Sequence, residues 1–207
     1  MPIFPTIVSK FIYLASQSPR RRQLLEQLGV KVELLLPEVD EDTEALEMSL
    51  PNEAPLAYVK RVTQLKLDAA LMRLARRALP MAPILCSDTS VAMGRTIFGK
   101  PADAADARRM LTDLSDKTHR VLTSVALGTA RRREQALSIS RVKFAAMSAR
   151  QIQSYAASAE PLGKAGAYAV QGRAAAFIAH ISGSYSGIMG LPLFETALLL
   201  RSFDFKV

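Results

Sequence analysis

The segment SQSPRR, residues 16–21, combines hydroxyl and guanidinium groups at the point where a predicted strand meets a predicted helix. The N-terminus of a helix presents unpaired N–H groups and a partial positive charge, so it attracts anions. Ser16 and Ser18 add hydroxyl donors, and Arg20 and Arg21 add forked donors that match phosphate oxygens. The segment predicts a phosphate-binding site; the simpler alternative is a capped helix with solvent-exposed arginines.

Two acidic features could serve phosphate chemistry. Glu38, Asp40, Glu41 and Asp42 form an acidic turn after the second predicted strand, and carboxylates there can hold Mg²⁺ that also binds substrate phosphates. Asp88 lies in a run of apolar or small residues, where an unpaired carboxylate is costly. Asp88 is therefore a functional candidate. The alternatives are an exposed acidic loop and an aspartate that only caps a turn.

Three further residues could contact a ligand. Thr89 adjoins Asp88, and Lys100 follows in a restrained turn. Gln171 precedes Gly172, where the chain can approach a ligand closely. Because an amide offers both a donor and an acceptor, Gln171 suits the edge of a nucleotide base.

The elements that must position these residues alternate between strand and helix patterns, which predicts the α/β class. Ser18, Pro19 and Gly29 have the residue types of an N-cap, a first helical position and a helix end. The predicted elements are a strand at 11–15, a helix at 20–28, a strand at 31–36, a helix at about 52–78, a strand at 83–93, an edge strand within 94–101, a helix at 102–114, a hairpin joined around 131–133, a helix after Ser148, a strand near 174–181 and a helix at about 192–203. We expect a loose extension over residues 1–10 and one domain over 11–207, with two lobes that meet near residue 118.

The composition indicates the cellular compartment in which we expect the protein. The single cysteine, Cys86, excludes an intramolecular disulfide and favours a reducing, cytoplasmic compartment. The first residues contain two prolines and Lys10, unlike a signal peptide. No run reaches the roughly 18 uncharged apolar residues that a membrane span needs, so we expect no membrane partner.

The formal charge of +8 suits an anionic partner, although a solvated basic face is the alternative. Aromatic residues are few and no nucleic-acid-binding module is present, so no stable nucleic-acid complex is expected. His119 and His180 lack the spacing of metal ligands. A Walker loop, a GxGxxG motif after a strand and a GxSxG elbow are also absent from the sequence.

Several motifs in register resemble the Maf family: LASQSPRRRQLLEQLG, PEVDE, SDTSV, KAGAYAVQG and SGSYSGIMGLPL, between about Phe11 and Phe203. The resemblance implies a mixed-sheet α/β fold similar to inosine triphosphate pyrophosphatase, with two lobes around a central cleft. It implies hydrolysis of nucleoside triphosphates to the monophosphate and pyrophosphate. It also implies that the reaction requires a divalent metal, Mg²⁺ with Mn²⁺ or Co²⁺ as alternatives, and that the protein forms a homodimer. The family was first named for inhibition of septum formation in bacteria.

Within the family, KAGAYAVQG resembles the branch that acts on dTTP and UTP. By motif position, the active-site set is Ser16, Arg20, Glu41, Lys66, Asp88, Lys100 and Gln171. Gln171 and Thr89 favour a pyrimidine, and Arg21 is a third position tied to substrate choice. Residue types alone do not single out Lys66, because the basic residues of its helix look like surface charge.

The mechanism expected from the resemblance has Glu41 and Asp88 as metal ligands. Arg20, Lys66 and Lys100 neutralise charge on the leaving pyrophosphate, and Asp88 or the metal activates the water that attacks the α-phosphorus. Two alternatives stay open. One is a nucleotide-binding regulator of septum formation with weak catalysis, and the other is a 7-methyl-GTP pyrophosphatase.

Overall fold

The computed structural model describes residues 11–39 and 41–207, so the predicted extension and Asp40 lie outside the described residues. Within that range seven strands form one mixed sheet. The strands are β1 (Phe11–Leu14), β2 (Lys31–Leu34), β3 (Ile84–Met93), β4 (Thr96–Phe98), β5 (Thr118–Gly128), β6 (Arg133–Phe144) and β7 (Ile178–Ser182). Their order is β2-β1-β3-β5-β6-β7, and β4 pairs with β3. The predicted α/β class is confirmed.

Strand β3 is where the sheet changes direction. β1 runs parallel to β2 and β3, whereas β5 lies antiparallel to both β3 and β6. On the edge of β3 that faces away from β5, β1 pairs with Ile84 and Leu85, and β4 pairs only with residues 91–93. Asp88 and Thr89 lie between these two pairings, at a gap in that edge. The end of a short parallel strand thus leaves room for a site in the middle of β3.

Six α-helices in the described chain cover the sheet. They are α1 (Pro19–Glu26), α2 (Pro55–Arg76), α3 (Ala104–Leu114), α4 (Ala149–Ala156), α5 (Tyr185–Met189) and α6 (Leu193–Ser202). No described helix has the length and apolar character that crossing a membrane requires. Two helix starts follow the predicted capping chemistry: Ser18 accepts from the backbone of Arg21, and Ser148 forms a capping box with Gln151.

Alternating side chains of the strands supply two cores, one on each face of the sheet. Leu85 and Val125 pack with α1 and α6, whereas Cys86 and Ala126 pack with Leu67 and other residues of α2. This division follows from the two-residue period of a strand. At the other end of the long strands, α3 and α4 cover a third cluster. The gap at Asp88 therefore lies between separately packed regions.

Most predicted boundaries lie within two residues of the observed ones, and two predicted starts shift by three or more residues. The long helix begins at Pro55, because Asn52 adopts a φ of +58°, in the left-handed region, and Pro55 occupies the first turn of α2. The strand expected near 174–181 begins at Ile178, because residues 173–177 form a 3₁₀ helix. The predicted hairpin is confirmed, with Gly128 of β5 opposite Arg133 of β6.

Candidate active site

A cavity opens at the gap in the edge of β3, and most of the sequence-predicted site residues line it. The predicted residues on its wall are Ser18, Arg20, Arg21, Lys66, Asp88, Thr89 and Lys100. Ser16 lines an adjoining pocket that shares Arg20, Lys66 and Lys100 with this cavity. The structure thus collects residues from the segment between β1 and α1, from α1, α2 and β3, and from the segment after β4.

The hydroxyl groups of Ser16 and Ser18, before α1, accept hydrogen bonds from other groups of the chain. Ser18 Oγ accepts from the backbone N–H of Arg21 at 3.5 Å, which caps α1. Ser16 Oγ accepts from the backbone N–H of Ser18 at 3.2 Å and from Arg21 Nη1 at 3.3 Å. These bonds fix the turn that carries Arg20 into the cavity.

The half-buried Arg21 is the centre of a hydrogen-bond network. Its Nε donates to the carbonyl oxygen of Gly190 at 2.8 Å, and its Nη2 donates to Thr89 Oγ1 at 3.4 Å. Thr123 Oγ1 in turn lies 3.1 Å from Thr89 Oγ1. Burial lowers the pKa of the Arg21 guanidinium, and the nearby charge of Asp88 opposes that shift. Arg21 therefore ties α1 to β3 and to the turn after α5, and it orients Thr89.

Asp88 and Lys66 form the ion pair at the centre of the cavity. Lys66 Nζ lies 2.6 Å from Asp88 Oδ1, and the Asp88 side chain is only 10% exposed. Ser90 Oγ donates to the other carboxylate oxygen at 3.5 Å. The buried charge of Asp88 is thus paired, as its sequence context required.

The position of Lys66 in α2 marks it as a candidate site residue, although its residue type alone does not. Val62, Thr63, Leu67, Ala70 and Leu74 form the buried stripe of α2, and Lys66 falls within that stripe at helical spacing. A lysine at a core-facing position needs a partner. The periodicity of α2 was therefore sufficient to nominate Lys66.

Two charged residues that the sequence did not nominate also line the cavity. Glu47 contacts the ammonium groups of Lys66 at 2.8 Å and Lys100 at 2.6 Å. Burial alone would raise the pKa of Glu47, but the two lysines outweigh burial and hold the pKa below its ordinary value. Lys164 also lines the wall, and burial, together with the charge of Arg20, lowers its pKa.

The charges on the described wall are unequal. The cations are Arg20, Arg21, Lys66, Lys100 and Lys164, and the carboxylates are Glu47 and Asp88. This excess of positive charge in a partly desolvated cavity favours a polyanion.

Part of the cavity lining is apolar, and we call it the apolar wall. It is lined by Val91, Ile97, Phe98, Val121, Tyr168, Val170 and Ile188. Tyr168 is held by His119, whose Nε2 lies 2.8 Å from the phenol oxygen. One molecule with a charged end and a flat apolar end would contact both walls.

The structure does not bring Glu41 to Asp88, contrary to the expectation that the two share a metal. Arg73 donates to both carboxylate oxygens of Glu41, and Arg76 Nη2 donates at 2.6 Å. The hydrogen bonds from Arg73 lower the pKa of Glu41 to about 2. Because two guanidinium groups already occupy both oxygens, Glu41 is an ion-pair residue here and does not line the cavity with Asp88.

Gln171 is exposed and also lies outside the cavity wall. The glycine that follows it permits a close approach, but to a residue of the chain itself. A Cβ on Gly172 would clash with the carboxylate of Glu160, and Glu160 accepts from the backbone N–H of Arg173 at 3.0 Å. The small residue at 172 therefore accommodates Glu160.

The donor set fits only one kind of metal site. The described residues include no group of three or more His, Cys, Asp or Glu side chains able to hold an ion. One or two carboxylates suffice for Mg²⁺ when substrate phosphates supply further oxygens. Asp88, at the cationic wall, meets that requirement.

The family comparison and the comparison with curated sequences agree with each other. Residues 11–203 match the family described as Maf-like protein. The chain is 78% identical over 200 residues to a dTTP/UTP pyrophosphatase of Albidiferax ferrireducens, covering 97% of this chain and 100% of that one. It is 69% identical over 197 residues to a dTTP/UTP pyrophosphatase of Polaromonas sp., covering 95% and 98%. A solved structure of the Staphylococcus aureus Ham1 protein aligns with a TM-score of 0.44 at 11% identity, covering 65% of this chain and 72% of that one.

Proposed function

Because the chain belongs to the Maf family, we propose that it is a nucleoside triphosphate pyrophosphatase that hydrolyses dTTP and UTP to the monophosphate and pyrophosphate. Relatives that are 78% and 69% identical to it over nearly their whole length carry the name dTTP/UTP pyrophosphatase. The observation that carries the proposal is the pairing of a five-cation wall with a buried carboxylate at the gap in β3.

In this proposal the triphosphate lies along the cationic wall. Arg20, Lys66, Lys100 and Lys164 come from four different parts of the chain and face the same space. Arginine provides forked donors for phosphate oxygens, and lysine provides compact charges. The base then lies against the apolar wall, where Tyr168 and neighbouring aliphatic side chains contact it.

The reaction is an attack of water on the α-phosphorus. The water oxygen forms a bond to phosphorus, the bond between phosphorus and the bridging oxygen breaks, and its electron pair leaves on pyrophosphate. Asp88 accepts a proton of the water, and the ion pair with Lys66 positions the Asp88 carboxylate. Arg20 and Lys100 stabilise the charge that develops on the leaving group.

A divalent cation, Mg²⁺ or in its place Mn²⁺ or Co²⁺, would when bound neutralise phosphate charge and polarise the reacting phosphoryl group. Asp88 would hold it together with phosphate oxygens, since the described carboxylates do not form a complete site of their own. The chain's own residues bind the triphosphate, orient it and take up the proton.

Substrate choice is assigned in this proposal to Arg21 and Thr89. Both line the cavity and share a hydrogen bond. The network through Thr123 fixes the position of Thr89, so the donors and acceptors presented to a ligand are set before it arrives. Rigid polar groups of this kind reject a base whose edge does not match them.

We propose that the protein is cytoplasmic and forms a homodimer. Each subunit has one Maf-like domain, residues 11–207, with two lobes that meet near residue 118. Cys86 is buried, and burial raises the pKa of its thiol to about 12. A thiol of this kind is unreactive, in keeping with a structural core residue. Light scattering of the purified chain would measure the subunit number directly.

The test is release of pyrophosphate from a panel of canonical and modified nucleoside triphosphates with Mg²⁺. We expect the highest kcat/KM for dTTP and UTP. Preference for 7-methyl-GTP would show instead that the chain is a 7-methyl-GTP pyrophosphatase. Release from no nucleotide, in protein that still binds dTTP, would favour the regulator of septum formation.

A further inference from the structure

Glu47 lies where the proposed reaction needs an anion. It ends a short 3₁₀ turn, Ala45–Glu47, in the segment between β2 and α2. Its Oε1 contacts Lys66 Nζ at 2.8 Å, and its Oε2 contacts Lys100 Nζ at 2.6 Å. One carboxylate thus bridges two of the cations that line the cavity.

The bridge resembles a bound phosphate in chemistry. A phosphate group also presents two oxygens to two ammonium groups, and it carries at least as much charge as a carboxylate. Lys66 is the same lysine that contacts Asp88 at 2.6 Å. The anion between the lysines is therefore next to the proposed reacting centre.

The turn that carries Glu47 contributes no residue to a core. None of its three residues is buried, and the following Met48 and Leu50 are exposed. Its backbone is nevertheless held, because Tyr58 Oη donates to the carbonyl oxygen of Glu47 at 2.7 Å and Arg61 donates to that of Met48 at 2.9 Å. Rotation of the Glu47 side chain would break two ion pairs and would not disturb any of the core clusters, none of which includes Glu47.

We propose that Glu47 is a positioning residue, which occupies the phosphate subsite between Lys66 and Lys100 in the free enzyme and is displaced by substrate phosphates. The inference rests on the proposed function, since it assumes that a polyphosphate binds at this wall. Glu47 keeps the two lysines oriented while the cavity is empty. It also weakens the hold on pyrophosphate, because its return competes with that product.

The experiment measures binding of inorganic pyrophosphate by calorimetry in the presence of EDTA, with no nucleotide. Glu47→Gln removes the competing charge with little change of shape. We expect it to bind pyrophosphate about tenfold more tightly than wild type, the effect of one charge-assisted contact. Glu47→Asp, whose shorter side chain cannot bridge both lysines, should fall between the two.

Glu44→Gln is the matched control, because Glu44 precedes the same turn and is exposed; its affinity should equal that of wild type. Thermal unfolding of each variant checks that the fold is retained. With Mg²⁺ present, KM for dTTP should fall in Glu47→Gln.

Equal or weaker binding of pyrophosphate by Glu47→Gln would overturn this inference alone. If, in addition, that variant required more Mg²⁺ and lost kcat, Glu47 would be a metal ligand instead. Failure of wild type and all variants to bind pyrophosphate would also overturn the inference, whereas the proposed function would be overturned by the absence of pyrophosphate release from every nucleotide with Mg²⁺.

Discussion

Helix α2 supplies basic side chains to two clusters of ion pairs. The clusters differ in how many hydrogen-bond donors remain available to a ligand. The arginine cluster consists of Arg73, Arg76, Arg77, Glu38 and Glu41. The lysine cluster consists of Lys66, Lys100, Glu47 and Asp88. Lys66 and Arg73 are seven residues apart, two helical turns, so one face of α2 serves both.

The arginine cluster satisfies its own groups. Arg73 is 4% exposed and contacts Glu41 with two of its nitrogens, while Nη1 donates to the carbonyl oxygen of Leu35 at 2.9 Å. A planar guanidinium and a carboxylate match in this way, so little donor capacity remains. The arginine cluster therefore joins α2 to the segment after β2.

The lysine cluster leaves charge available. Its two ammonium groups each have three donors in rotatable positions, and further cations line the same cavity. The same ion-pair chemistry can therefore hold a fold together or bind a ligand. The geometry of the cation and the access to a cavity decide which.

The largest expected effect breaks the lysine cluster at its carboxylate. Asp88→Asn keeps the shape of the side chain but removes the charge that accepts the proton. We expect a loss in kcat of about 10³-fold or more, with the thermal unfolding temperature nearly unchanged. Asp113→Asn, on the exposed face of α3, is the control and should keep full activity. An active Asp88→Asn enzyme would contradict the assignment.

The second prediction contrasts the two basic residues of α2. Lys66→Met should lower kcat/KM by about 10²-fold because a cation at the phosphates is lost. Arg73→Met should leave kcat/KM nearly unchanged and lower the free energy of unfolding by about 2–3 kcal/mol, since the buried carbonyl oxygen of Leu35 loses its donor and Glu41 keeps Arg76 as its ion-pair partner. Steady-state kinetics and urea unfolding of both variants separate the effects. If Arg73→Met lost activity at unchanged stability, the arginine cluster would belong to the site.

The third prediction concerns acid. Arg73 lowers the pKa of Glu41 in the folded protein to about 2, from an ordinary value of 4.5. The stabilisation is therefore fully present above pH 4.5 and is lost as pH falls through that value towards 2. In this window Glu41 adds a slope of at most about 1.4 kcal/mol per pH unit to the free energy of unfolding. Glu41→Gln should flatten the curve measured by urea unfolding at successive pH values. Parallel curves would show that Glu41 is not held as described.

The sequence predicted the elements that local chemistry determines. Two helix starts were predictable from their capping residues, Ser18 with Pro19 for α1 and Ser148 for α4. Asp88 was predictable as a functional residue because it places a charge within a buried strand. The gap in the edge of β3 could not be predicted, because it depends on where β1 ends relative to β4. Glu47 was equally hidden, since only the path of the segment between β2 and α2 brings it to Lys66 and Lys100.

The smallest expected effect is at Gln171, where motif and geometry disagree. The resemblance to the dTTP- and UTP-hydrolysing branch makes Gln171 a substrate contact, whereas the structure places it on the surface, outside the cavity wall. From the structure, Gln171→Ala should change kcat/KM for dTTP by no more than about twofold, in the range of an exposed side chain. Thr89→Val, inside the cavity, is the matched comparison and should lower it more, because Arg21 loses an acceptor. Kinetics with dTTP, UTP and 7-methyl-GTP would measure both variants. A large change of preference in Gln171→Ala would mean that the turn at 169–173 closes over the bound nucleotide, and that substrate choice is completed only after binding.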